Sequence, residues 1–225
     1  MKYFGEGLSE KHKELSKLIR KRTSFDKAVR LFLELHASLH LSEVSGTPPN
    51  EVNSLFGDLS AEEASAMPEK NGETICWALW HMARIEDLTM NILVAENRQV
   101  LTESVRRKIS SPITDTGNAL TQEEIRTFST QVCFSALIAY RNDVGQRTRE
   151  IVSALTSDDM KRPVNKSSLD AVLAAGGVTT QPDSVWLLDY WGGKDITGLL
   201  LMPPTRHLIL HLNDCSRWKN MLRKR

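Results

Sequence analysis

Cysteine is scarce in this chain. Its three cysteines, Cys76, Cys133 and Cys215, are widely spaced and odd in number, which excludes the paired framework of a disulfide-stapled secreted domain. Long hydrophobic runs are missing as well. The longest, residues 199–204, is cut by two prolines and falls far short of the roughly 20 residues that a membrane-spanning helix needs. The first residues turn charged at once, without the apolar stretch of a secretory signal. A reduced, cytoplasmic protein with no membrane partner is the expectation.

Charge of one sign is lacking too. The 29 lysines and arginines nearly cancel the 28 acidic residues, leaving a formal net charge of +1, so no global field draws the chain to nucleic acid. The basic run at residues 11–22 has no interleaved aromatics and reads as a solvated helix face. The pairs Gly176-Gly177 and Gly192-Gly193 lack the spacing of a phosphate-cradling loop. No helix-turn-helix pattern, internal repeat or low-complexity tract is present.

What is present is helix. With 40% hydrophobic and 25% charged residues over 225 positions, the chain suits one globular domain with ample core. A short amphipathic segment near residues 9–19 forms an N-terminal extension over residues 1–22. Four long amphipathic segments follow, at residues 26–44, 73–97, 121–155 and from Pro204 to about Met221. Their apolar positions recur at helical spacing. Thr121-Gln-Glu-Glu124 is a capping-box sequence, and Pro203-Pro204 suits a helix start. The fold class is therefore all-α, a four-helix bundle. The connection at residues 157–202 is unusually long and carries Trp186, Tyr190 and Trp191 at spacings that share a face. It reads as a functional cover rather than a linker.

The histidines carry the chemical signal. His207 and His211 lie four residues apart on the last helix, where two imidazoles share one face and can grip one metal ion. A third histidine from a facing helix would complete an open, three-ligand site. His36 and His40 have the same spacing, so spacing alone does not separate the two pairs. His12 sits in the charged N-terminal segment and reads as surface.

The segments Trp77-Ala-Leu-Trp-His81-Met-Ala-Arg-Ile-Glu-Asp87 and Met202-Pro-Pro-Thr-Arg-His207-Leu-Ile-Leu-His211-Leu-Asn213 resemble the DinB/YfiT-like family of four-helix bundle proteins. The resemblance spans roughly residues 24–222 and implies that His81, His207 and His211 form a metal-binding triad. The His36/His40 pair is not part of that triad, and the long aromatic connection exceeds what a minimal member needs. The donors suit zinc or nickel, with iron and manganese also open.

Helical spacing places Trp77, Arg84 and Ile85 beside His81, and Asp214 three residues after His211. Trp77 reads as a pocket wall or as core. Arg84 reads either as an orienting group for an anionic substrate or as the partner of Glu86 or Asp87. Asp214 is a candidate acceptor for an imidazole N–H. Cys215 continues the row, as a fourth ligand or, better, as a packing residue.

The resemblance further implies a homodimer and a metal-dependent transferase or isomerase. Its cofactor would be a low-molecular-weight thiol of the bacillithiol or mycothiol type, acting on a small electrophile, with no protein nucleophile assigned. The competing expectation is a non-catalytic, stress-related bundle that holds a metal or small ligand. A metal-water hydrolase ranks last, because no acidic residue is evidently placed as general base.

Overall fold

Helix α5 (Ile75–Asp87) is the axis of the fold, and each of its residues is buried. Thr74 starts it by accepting a hydrogen bond from the Trp77 amide, an N-cap that leaves the following apolar run free to be helical. The backbone then widens into a π-helical stretch at Leu88–Val94. In the computed structural model, residues 4–70 and 72–224 are described. Residues 1–3 of the expected N-terminal extension, Asn71 and Arg225 lie outside the described residues.

Around α5 stand three other long helices. They are α2 (Phe25–Ala37), α8 (Phe134–Ala154) and α12 (Leu208–Leu222). Helix α5 packs on α8 and α12, and α2 packs on α8, closing a bundle. Helix α1 (Leu8–Leu18) lies along α2, and the short α3 (Glu51–Phe56) and α4 (Ala61–Ser65) bridge to α12. Helices α6 (Glu103–Ile109) and α7 (Gln122–Gln131) precede α8. The all-α bundle is the fold that the sequence predicts. Among the described residues, the sole β feature is an isolated bridge between Pro163 and Asp195.

Two of the long segments are broken. The first stops at Ala37, because Asn50 donates its side-chain amide to the carbonyls of Ala37 and His40. Those carbonyls would otherwise seek further helical partners, and their capture lets the chain turn. The third breaks at Val132 and Cys133, where the Cys133 amide donates to the Ile109 carbonyl at 2.7 Å instead of closing a helical turn. The last helix is entered through a wide π turn, Met202–His207, containing both prolines.

The long connection is folded. It contains α9 (Lys166–Ala174), α10 (Pro182–Gly192) and α11 (Ile196–Leu200). Proline at the start of α10 fits the first turn, whose amides have no helical partner.

Candidate metal centre

His81 points from α5 toward His207 and His211, which come from the entry turn and first turn of α12. Ring centroids lie 4.9 Å apart for His81 with each partner and 4.5 Å apart for His207 and His211. One ligand nitrogen from each falls within 4.8 Å of the others. His81 Nε2 and His207 Nε2 are 3.0 Å apart.

A three-residue loop fixes the direction of His81. Its Nδ1 lies 2.9 Å from the Thr116 carbonyl oxygen. A carbonyl only accepts, so Nδ1 carries the proton and Nε2 presents its lone pair to the other two histidines. The neighbouring carbonyls do the same for two tryptophans: Asp115 O accepts from Trp80 Nε1 at 2.9 Å, and Gly117 O from Trp77 Nε1 at 3.1 Å. Three successive carbonyls thus pin three ring N–H groups of α5. Gly117 has φ +75°, and a Cβ there would come within 2.9 Å of Trp77 Nε1, so the loop needs glycine at this point.

Burial makes the triad neutral. It lowers the pKa of His81 to about 3, with His211 adding to the effect and the Thr116 hydrogen bond opposing it. His207 falls well below the ordinary histidine range, through burial and then its two imidazole neighbours. His211 is lowered by burial, and Asp214 offsets part of that. The Nδ1 atoms of His207 and His211 are buried without a hydrogen-bond partner. Three neutral, convergent imidazoles, with the Nε2 atoms of His81 and His207 facing each other, are a donor set that fits a divalent metal.

Two of the three histidines, His81 and His207, line a cavity of about 370 Å³. His81 and His207 contribute its polar floor, Ile85, Leu187, Trp191, Met202 and Pro203 its apolar walls, and Trp186 and Tyr190 its aromatic side. Asn118 adds one amide, and no charged side chain among the described residues lines it. Trp186 and Tyr190 come together on α10, with ring centroids 5.7 Å apart.

The remaining neighbours of the triad lie elsewhere. Trp77 backs the site, stacked on His81 at 4.7 Å and 8°, with its edge toward His211. Arg84 is fully buried and occupied, donating to Thr114 O, Asp87 Oδ2, Tyr140 Oη and Gln99 Oε1. It faces the Asp87 partner, in the core rather than at the surface. Asp214 pairs with Arg217 at 3.2 Å. Cys215 is buried, and burial raises its thiol pKa far from a thiolate ligand's. His12 is half-buried, 2.8 Å from the Leu201 carbonyl, so it is tied to the entry of the last helix rather than free at the surface.

Spacing alone did not reveal Thr116, Asn118 or Met202. Nor did it reveal that His36 and His40 meet Glu86 in a second buried group.

An all-α bundle with histidines converging from two helices beneath an aromatic cover defines the class. Residues 47–179 match the DinB superfamily, which is more than half of the chain, and the chain belongs to that superfamily. His81 lies inside the matched region, whereas His207 and His211 lie beyond it. No curated protein matches the chain. No described helix is long and apolar enough to cross a membrane.

Proposed function

We propose that this protein is a divalent-metal-dependent enzyme that transfers a low-molecular-weight thiol, of the bacillithiol or mycothiol type, to a small uncharged electrophile. One observation carries the reading: the nitrogens of His81, His207 and His211 converge where His81 and His207 line an open cavity. A structural metal site is closed by protein ligands, whereas a catalytic one keeps a position for water or substrate. His81, His207 and His211 would hold the ion, whose charge would keep a bound thiol ionised at neutral pH.

The chain's own residues supply the rest. Thr116 and Trp77 hold the His81 ring in place from behind. Trp186, Tyr190 and Trp191 exclude water and offer flat apolar surface to the electrophile. With no charged group in the lining, a charged electrophile would lose hydration without compensation. Asn118 is the group that can orient a carbonyl or similar acceptor. The reading carries with it a cytoplasmic homodimer that binds neither nucleic acid nor membrane.

The test offers zinc- and nickel-loaded protein each thiol with a neutral aromatic electrophile. Turnover that disappears in His211→Ala is the expected result. Turnover that survives in that variant overturns the metal's role. A protein that binds metal but turns over no thiol is a ligand-holding bundle instead.

A further inference from the structure

Beside α5, the end of α2 and the turn that follows bring a second donor group together. His36, His40 and Glu86 are each 0% exposed, and one ligand atom from each lies within 4.8 Å of the others. His36 Nε2 is 2.9 Å from Glu86 Oε1, and His40 Nε2 is 3.2 Å from Glu86 Oε2. The second pair is close but not aligned as a hydrogen bond, so both of its atoms are buried without such a partner. The two imidazoles stack with centroids 4.2 Å apart, and both present Nε2 to the same carboxylate.

The surroundings answer this carboxylate only in part, because His36 pairs with Oε1 while Oε2 has no hydrogen-bond partner. Glu86 acts on the buried Arg141 through charge alone, because the Arg141 guanidinium donates to the Leu39 carbonyl. No described lysine or arginine forms an ion pair with Glu86. A buried carboxylate without a compensating charge is costly. Helix α8 also makes room for the His40 ring. A Cβ on Gly145 would sit 2.6 Å from His40 Nδ1, and glycine within a helix costs about 1 kcal/mol relative to alanine.

We infer that His36, His40 and Glu86 form a second divalent-metal site, closed to solvent and structural in role. Two imidazole nitrogens with a carboxylate oxygen are a donor set of the zinc and iron type. Because the site is closed, its ion is taken up as the chain folds. The inference is independent of the thiol-transfer reading and of the triad.

The experiment counts zinc by elemental mass spectrometry. The protein carries no histidine tag, is produced in zinc-supplemented medium and is dialysed against a weak chelator. Two ions per chain are expected in the wild type, and one in His207→Ala/His211→Ala. Adding Glu86→Gln, which keeps shape and removes charge, should abolish the remaining ion. X-ray absorption on the double variant keeps the second group intact, so it decides the matter even if Glu86→Gln fails to fold. It should show two imidazoles and an oxygen at about 2.0–2.1 Å.

A double variant that retains no zinc overturns the inference and leaves an imidazolium–carboxylate pair. Retained zinc without imidazole scattering overturns it as well. One ion in the wild type that the double variant keeps supports this site while removing the triad.

Discussion

A histidine becomes a directional ligand when its other nitrogen is engaged, and here the Thr116 carbonyl engages Nδ1 of His81. That carbonyl is aimed by Gly117, at φ +75° and against Trp77. Gly117→Val should therefore strain the loop by about 1–3 kcal/mol and lower zinc affinity by about 10–100-fold. Chelator competition reads the affinity and urea unfolding reads the strain. Asp87 is the other residue on which much converges. It accepts from Arg84, Tyr140, Asn91 and the amides of Val100 and Leu101. Asp87→Ala leaves Arg84 buried and uncompensated, so a loss of about 3–5 kcal/mol is expected in urea unfolding. Helical spacing placed Arg84 on the His81 side of α5 but gave no depth. Depth is set by the loop at 114–117, which draws the guanidinium inward through the Thr114 carbonyl.

At the scale of elements, the long helices were legible because apolar periodicity records a buried face. Their breaks were not. The end of α2 depends on Asn50, distant in sequence, and the α7–α8 break on the Ile109 carbonyl. Such partners leave no trace in a local window. Hence His36 and His40 read as one helical face, although α2 ends between them and His40 reaches Glu86 from a turn. Helix α10 shows the opposite case, because its aromatic spacing announced a shared face before its packing was known. Trp186 is 46% exposed, so Trp186→Ala should shift stability by no more than about 0.5 kcal/mol. Binding of a neutral aromatic ligand to the cavity should weaken by about tenfold, the worth of one lost aromatic contact. Calorimetric titration separates the two effects, and an unchanged affinity would remove Trp186 from the binding surface.

For the whole molecule, the buried histidines set a pH dependence. His40 and His81 have folded pKa values of about 3 against an ordinary 6.5. Between those values the unfolded chain binds more protons, so stability rises with pH there. Metal-free protein should be fully stabilised above about pH 6.5 and lose stability as pH falls toward 3, by up to about 1.4 kcal/mol per pH unit for each histidine. Urea midpoints at pH 7 and pH 5 check this, and equal midpoints would mean that the rings are not buried neutral. The superfamily match ends at residue 179, so the proposal of His207 and His211 as metal ligands rests on the convergence of three rings rather than on the match.

The loop that aims His81 is also the seat of the cover. Thr116 N donates to the Gly177 carbonyl at 3.2 Å, and Thr114 Oγ1 to the Gly176 carbonyl at 3.1 Å. Residues 114–117 thus act as a shared hinge-pin: one side holds an imidazole still, and the other anchors the chain that leads into α10. A molecule that drew α10 down over the cavity would also pull on the carbonyl that orients His81. Coupling of this kind is reciprocal by thermodynamic necessity. Under the proposed function, whatever factor a bound ion adds to ligand affinity the ligand returns to the ion, and the cover would act as a latch on the metal as well as a lid over the substrate.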